Sequence, residues 1–132
     1  MSNKSVFFTE SHEWIQVDGS CGTVGISSYA QKELGEIVAI ELPKVGSRVK
    51  AGDEVCVLES TKAAADVYSP VSGTILSINE NLVKNPHALN IEPESRGWLF
   101  RIELSNPSEV DRLLTGSCYE DLIHKQSEEP EI

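Results

Sequence analysis

One lysine, Lys62, stands in a setting that suits the covalent attachment of a cofactor. Four apolar residues typical of a strand, 55–58, lead into it, and a second strand-like run leaves it and ends at Pro70. This pattern predicts a β-hairpin with Lys62 at its tip, where the small neighbours Thr61 and Ala63 leave the amine open to a modifying enzyme. An amine exposed in this way is poorly placed to act as a buried base.

Two acidic residues and a serine accompany the lysine. Glu59 and Asp66 flank it, and Ser60 precedes it by two positions. A lysine amine is protonated near neutral pH, so an acylating enzyme must remove a proton before the bond forms. We expect Glu59, Ser60, Ala63 and Asp66 to serve recognition by that enzyme or orientation of the amine. The pattern Glu-Ser-x-Lys alone is weak, because it occurs by chance in roughly 1–2% of chains this long. An ordinary surface lysine is therefore the alternative.

The rest of the chain consists mostly of short strands that would position this hairpin. Each is rich in Val and Ile, and Gly, Pro, Asn or Ser separates it from the next. The predicted strands are 13–17, 22–25, 36–42, 54–60, 65–68, 73–78 and 98–104. Such spacing is typical of a sandwich or a barrel.

An internal echo divides this β region into two halves. Segments 35–40 and 73–78 both read Gly-x-Ile-aliphatic-x-Ile, and a Val-Lys pair follows each one, at 49–50 and at 83–84. The repeated order predicts a domain with pseudo-two-fold symmetry, in which the first half ends at the Lys62 hairpin. Two strands of similar composition are the simpler explanation of the echo.

Helix signals are few. Ser28 with Gln31 fits a capping box for one short helix that ends at Gly35. Further helices are predicted from residue 107 to a stop at Gly116, and from a capping box at Ser117 through residue 123. Residues 126–132 are charged and lack an apolar face, so we expect a single domain over 1–125 and a disordered acidic tail over 126–132.

Composition excludes several classes of function. The 132 residues carry a formal net charge of −10, and no stretch has the basic character that nucleic-acid binding requires. No apolar run approaches the ~20 residues of a membrane span, and the first residues lack a signal or transit pattern. The three cysteines lack metal-site spacing, which favours reduced thiols in a cytoplasmic protein. No catalytic triad or metal cluster is legible, and we expect a monomer without activity of its own.

The longer context of Lys62 resembles the H protein family of the glycine cleavage system. The resemblance covers nearly all of residues 7–123, in order and with little gapping. The residues that carry it are Ser11-His12-Glu13-Trp14, Thr23-Val24-Gly25-Ile26-Ser27, Tyr29-Ala30-Gln31, Leu34-Gly35, Ile37-Val38, Glu41-Leu42-Pro43, Val45-Gly46, Gly52-Asp53, Glu59-Ser60, Lys62-Ala63-Ala64, Asp66-Val67-Tyr68, Pro70-Val71-Ser72-Gly73, Asn79-Glu80, Leu82, Asn85-Pro86, Leu89-Asn90, Pro93, Gly97-Trp98-Leu99 and the helix from Pro107.

The resemblance implies a lipoyl group in amide linkage to Lys62, on an arm of roughly 14 Å. It implies a mostly β fold, the lipoyl-domain-like barrel-sandwich hybrid of two small sheets, with one short helix in the N-terminal half and a C-terminal helical tail. It also implies the partners. A pyridoxal-phosphate glycine decarboxylase loads an aminomethyl group, a tetrahydrofolate-dependent aminomethyltransferase receives it, dihydrolipoamide dehydrogenase reoxidises the arm, and a lipoate ligase or lipoyltransferase attaches it.

The chain departs from the family pattern in one loop. Over 91–96 the family usually has an acidic residue where Ile91 stands, Tyr-Gly at Glu94-Ser95, and often an acidic residue at Arg96. Thr61 and Ala65 also replace common Val and Ser. The loop therefore leaves open an H-like lipoyl carrier that relays lipoyl groups or serves another lipoamide-dependent system.

Two further alternatives belong to other classes. A biotinyl domain of similar fold usually has Met on either side of the lysine, whereas the only methionine of this chain is Met1. A small β scaffold that binds a basic partner through its acidic half would need no modified lysine at all.

Overall fold

In the computed structural model, which describes residues 5–127, nine strands form two antiparallel sheets. In chain order the strands are β1 (Ser5–Phe8), β2 (Glu13–Asp18), β3 (Cys21–Ile26), β4 (Ile37–Glu41), β5 (Arg48–Val49), β6 (Glu54–Ser60), β7 (Ala64–Tyr68), β8 (Gly73–Ile78) and β9 (Phe100–Leu104). The large sheet has the order β1-β2-β3-β9-β8-β5, and the small sheet has the order β4-β6-β7. The prediction of a mostly β fold with two sheets is thus confirmed, although one of them has six strands.

The core lies between the two sheets and follows from the two-residue period of a strand. In β9 the side chains of Phe100, Ile102 and Leu104 are buried, whereas Arg101 and Glu103 between them are exposed. One face of the large sheet therefore packs inward and the other meets solvent.

The small sheet covers the same core from the opposite side. Cys56 and Leu58 of β6 and Val67 of β7 are each at most 2% exposed. Their neighbours Val57, Glu59 and Asp66 face the other way along the same strands. The hairpin that carries Lys62 is therefore anchored by buried side chains on its inner face only.

The seven predicted strands are all present, to within two residues at each end. The sequence did not predict β1, β5 or the two short helices α2 (Glu80–Lys84) and α3 (His87–Ile91). These elements have two to five residues, so they are too short to show a hydrophobic period.

The helix boundaries required corrections. Helix α1 (Ser28–Leu34) ends at Gly35 as predicted, but its N-cap is Ser27, whose hydroxyl accepts a hydrogen bond from the backbone N–H of Ala30. The prediction of Ser28 as the cap was wrong because Ser27 is the residue with extended backbone, at φ −73° and ψ 163°.

Near the C-terminus two further predictions were wrong in detail. The helix predicted from residue 107 is present as a 3-10 helix over Pro107–Arg112, but Gly116 begins helix α4 (Gly116–Ser127) instead of ending the segment before it. The hydroxyl of Thr115 accepts from the backbone N–H of Cys118 at 3.3 Å, so Thr115 rather than Ser117 supports the start of α4.

The two copies of the internal echo lie in different sheets. The first contributes β4 to the small sheet, and the second is β8 of the large sheet. The expected acidic tail falls mostly on residues 128–132, outside the described residues, while α4 extends through Ser127. No helix among the described residues is long and apolar enough to span a membrane.

The Lys62 hairpin as candidate attachment site

Lys62 lies in the short turn that joins β6 to β7, and its side chain is exposed. The last pair of the ladder joins Glu59 to Ala64, which leaves the turn beyond the sheet edge. The hairpin predicted from the sequence is therefore present with the lysine at its tip.

The hydroxyl of Ser60 holds the backbone of this tip in place. It accepts hydrogen bonds from the backbone N–H of Lys62 at 3.1 Å and of Ala63 at 3.0 Å. The backbone N–H of Ser60 also donates to the carbonyl oxygen of Ala63 at 2.7 Å. A serine that binds N–H groups two and three residues ahead competes with solvent for them and fixes the turn. Ser60 and Ala63 thus hold the backbone of the tip, and their role in orienting the amine stays a prediction.

A second set of contacts ties the tip to the end of α1. The backbone N–H of Thr61 donates to the carbonyl oxygen of Glu36 at 3.0 Å. The Nζ of Lys62 lies 3.5 Å from the carbonyl oxygen of Glu33, in the last turn of the helix. The C-terminal end of a helix favours a cation, because its last carbonyl groups lack partners. The lysine is therefore presented along a defined direction.

The two flanking acids are placed differently from that network. Glu59 and Asp66 are exposed on the outer face of the small sheet. Within residues 5–127 neither carboxylate lies within ion-pair distance of Lys62. A role for Glu59 and Asp66 as recognition points stays a prediction.

A groove of about 200 Å³ opens beside the hairpin; we call it the hairpin groove. It is lined by the segment Ser11, His12, Glu13, by Ile26, by Ala30, Glu33 and Leu34 of α1, and by Leu58, Ala65, Asp66 and Val67 of the hairpin. Glu33 both lines this groove and accepts from the Lys62 amine. A group attached to the amine therefore starts next to a residue that lines the groove.

The carboxylate of Glu13 organises one wall of the groove. It is 2% exposed, and the hydroxyl groups of Thr9 and Ser11 donate to its Oε1. Its Oε2 accepts from the backbone N–H of Tyr68 at 3.2 Å. A buried carboxylate is stable only with such partners, so these bonds fix the wall against β7.

His12 lies next to Glu13 in the same wall. Its Nδ1 is 2.7 Å from the hydroxyl of Tyr119 in α4. Burial lowers the pKa of His12 below its usual value, so its ring is neutral at neutral pH. In the sequence analysis these residues appear only as part of the motif Ser11-His12-Glu13-Trp14, because the groove is built from segments far apart in the chain.

The atypical loop over 91–96 lies against the start of α1. The carboxylate of Glu94 accepts from the backbone N–H of Ser28 at 2.7 Å, and the carbonyl oxygen of Pro93 accepts from the indole of Trp14 at 2.9 Å. The departure at Glu94 thus supplies a partner for a free N–H of the helix start.

The described residues contain no group of three or more His, Cys, Asp or Glu side chains that could hold a metal ion. The Cys56 thiol is buried in the core, and burial raises its pKa to about 12. A thiol in this state is not a nucleophile at neutral pH.

Comparison with known proteins places these features in a family context. The family described as glycine cleavage H-protein matches residues 6–126. The chain is 46% identical over 125 residues to the glycine cleavage system H protein of Carboxydothermus hydrogenoformans, across 95% of this chain and 96% of that one. It is 45% identical over 119 residues to the protein of the same name from Thermotoga maritima, across 90% of this chain and 96% of that one.

A solved structure agrees with the sequence matches. The crystal structure of a glycine cleavage system H protein from Mycobacterium marinum superposes with a TM-score of 0.81 at 32% identity. The match covers 93% of this chain and 97% of that chain. The two-sheet architecture and the C-terminal helix are therefore shared with a protein of that name.

Proposed function

The chain belongs to the glycine cleavage H-protein family, the lipoyl-carrying shuttle proteins of the glycine cleavage system, and we propose that Lys62 is the residue that carries the lipoyl group. The observation that carries this assignment is the geometry of the hairpin tip. Ser60 fixes the turn, and the Lys62 side chain extends from it into solvent. A modifying enzyme can therefore reach the amine without unfolding the sheet.

The contacts of the amine are compatible with acylation. An amide formed at Nζ loses the positive charge but keeps one N–H donor. That N–H can still donate to the carbonyl oxygen of Glu33, which the amine approaches at 3.5 Å. The attached chain then begins in the same direction as the free lysine.

The hairpin groove fits a thin apolar chain with a polar end. Ile26, Leu34 and Val67 offer aliphatic surface, whereas Glu13 adds a carboxylate. A lipoyl group, when bound, supplies a redox-active pair of sulfur atoms that carries a one-carbon amine between enzymes. The Glu13 carboxylate favours a cationic end of that chain by electrostatic attraction, and the aliphatic surface favours its methylene groups.

The residues of this chain thus present and shelter a group, and its partners perform catalysis. We propose as partners the pyridoxal-phosphate glycine decarboxylase, the tetrahydrofolate-dependent aminomethyltransferase and dihydrolipoamide dehydrogenase, with a lipoate ligase or lipoyltransferase for attachment. The exposed acidic residues Glu59 and Asp66 next to the tip are the recognition points that these proteins would meet.

The attachment is tested by intact mass. Unmodified protein incubated with lipoate, ATP and a lipoate ligase is expected to gain one lipoyl mass, and Lys62→Arg none. Lys50→Arg is the matched control, because Lys50 is an exposed lysine in another tight turn, where its N–H donates to Asp53. Equal gain in Lys62→Arg, or none in the wild type, would refute the attachment.

The partner assignment needs a separate assay. Lipoylated protein, glycine decarboxylase and labelled bicarbonate are expected to exchange label into glycine, in proportion to the lipoylated fraction. Full lipoylation without exchange would instead favour a relay that passes lipoyl groups to other proteins.

A further inference from the structure

Tyr119 of α4 makes contacts that the attachment of a group to Lys62 does not require. The residue is 3% exposed, and its ring stacks on Phe8 with centroids 4.3 Å apart and planes 3° apart. Its hydroxyl lies 2.7 Å from the Nδ1 of His12 and 2.6 Å from the Oγ of Ser27. One phenol oxygen thus connects the C-terminal helix to a wall of the hairpin groove.

The backbone of His12 has an uncommon conformation. Its φ is 74°, in the left-handed region, and it is the only described residue other than glycine with a positive φ. A residue with a side chain stays in that region when surrounding contacts fix it. The backbone N–H of His12 donates to Thr9, and its carbonyl oxygen accepts from Ser27. The ring contact with Tyr119 adds a third constraint.

The left-handed backbone at His12, which we call the His12 corner, joins two residues that line the hairpin groove. Ser11 and Glu13 both line the hairpin groove, and the Ser11 hydroxyl donates to the Glu13 carboxylate at 2.6 Å. His12, between them, lines the groove as well. A change in the backbone at His12 would move both polar side chains relative to the hairpin.

We propose that Tyr119 is a positioning residue for the hairpin groove: its hydroxyl holds the His12 ring, and thereby keeps Ser11 and Glu13 in the arrangement that receives the arm on Lys62. The inference rests on the proposed function, in which Lys62 carries a lipoyl arm.

The hydrogen atoms of the network can be assigned consistently. The Ser27 hydroxyl already accepts from the Ala30 N–H, so its own proton is available to Tyr119. Tyr119 then donates its proton to Nδ1 of a neutral His12 ring, which carries its proton at Nε2. In this arrangement the hydroxyl groups of Ser27 and Tyr119 each donate to one acceptor.

The experiment measures how well the groove shelters the arm. Lipoylated protein is reduced, and the rate of alkylation of the two arm sulfur atoms is followed by peptide mass spectrometry, with Cys21 of β3 as internal reference. We expect Tyr119→Phe to raise that rate roughly two- to tenfold, the range equivalent to one net hydrogen bond. Tyr68→Phe is the matched control, because it removes the hydroxyl of a half-buried tyrosine that lies outside the Tyr119–His12–Ser27 network.

A double-mutant cycle separates this coupling from a loss of stability. Asn tolerates the left-handed region, so His12→Asn keeps the corner while it removes the ring. We expect the arm to be alkylated at the same rate in three variants: Tyr119→Phe, His12→Asn and the double variant. Each of them removes the same hydrogen bond between Tyr119 and His12. Nitrogen-15 shifts of the His12 ring report the loss of the bond independently of the arm.

Four results would overturn the inference. Additive effects on the alkylation rate in the double variant would show that the two residues do not act together on the groove. The same follows if Tyr119→Phe changes the nitrogen-15 shifts of the His12 ring but leaves the alkylation rate unchanged. A wild-type arm that reacts as fast as a lipoyl-lysine peptide would refute sheltering but leave the attachment intact. Absence of lipoyl on Lys62 would refute both, and intact mass distinguishes that case at the start.

Discussion

The side chain of Lys62 lies directly across Gly35, so close that a Cβ atom at Gly35 would be 2.9 Å from the Cε of the lysine. Gly35 has φ 84° and ψ −157°, a backbone conformation that is essentially restricted to glycine. It also ends α1, whose last turn provides the carbonyl group that Lys62 approaches. One glycine therefore both ends the helix and leaves room for the lysine.

We expect Gly35→Ala to slow lipoylation of Lys62 and to lower the free energy of unfolding by about 1–3 kcal/mol. The slower modification follows from displacement of the Lys62 side chain, and the stability loss follows from backbone strain. Urea unfolding and the rate of mass gain with a lipoate ligase measure the two effects separately.

Gly46→Ala is the control for that pair of effects. Gly46 has φ 90°, and no heavy atom lies within 4 Å of a Cβ built on it. Its substitution is expected to destabilise the protein by a similar amount without slowing lipoylation. If both variants were modified at the same rate, contact between Gly35 and Lys62 would have no role in presentation.

Ser60→Ala is expected to loosen the hairpin tip. It removes the acceptor of the Lys62 and Ala63 N–H groups and a donor to the Ala63 carbonyl. Because the tip is exposed, water replaces these bonds, and the cost in free energy of unfolding should stay near 0.5–1.5 kcal/mol. The lipoylation rate should fall, and hydrogen exchange at the Lys62 and Ala63 amides should rise.

Ser60→Thr tests whether the hydroxyl is responsible. Threonine keeps the oxygen and suits a strand end, so exchange and lipoylation should return toward the wild-type values. Fast exchange in Ser60→Thr would mean that the fit of the serine side chain, rather than its hydroxyl, fixes the turn.

The course of the strands and the place of Lys62 could be predicted from local pattern, because both depend on residues close in sequence. Apolar residues with short spacing mark β6 and β7, and the lysine falls between them. Gly35 was likewise legible as a helix end. These features need no knowledge of which strand pairs with which.

The hairpin groove could not be predicted, since it depends on tertiary contacts across the chain. Glu13, Ile26, Leu34 and Asp66 line one groove although they belong to four separate elements. Likewise, the capping box pattern pointed to Ser28, and only the extended backbone at Ser27 shows that the adjacent serine is the N-cap. The residue type determines which contacts a side chain can make, whereas the fold determines which partner it meets.

Cys56 should resist alkylation in the folded protein. Its side chain is 2% exposed, and burial raises the pKa of its thiol to about 12. At pH 8 almost none of it is thiolate, the form that reacts. Mass spectrometry after brief treatment with iodoacetamide should find label on exposed Cys118 and none on Cys56.

Denaturant provides the control for that protection. In urea above the unfolding midpoint Cys56 and Cys118 should be labelled at similar rates, because both are then exposed. Rapid labelling of Cys56 without denaturant would show that the strands β6 and β7 open locally.

The burial of His12 should make the protein less stable in mild acid. Burial lowers the pKa of His12 in the folded state, whereas in the unfolded state it stays near 6.5. Below about pH 6.5 the unfolded chain therefore binds more protons than the folded one, so the free energy of unfolding falls as the pH falls through this window. Urea unfolding at several pH values between about 7.5 and 5 should reveal that slope, and His12→Asn should reduce it. His124→Asn is the control, since His124 is exposed in α4. An equal slope in His12→Asn and the wild type would assign the acid sensitivity to other groups.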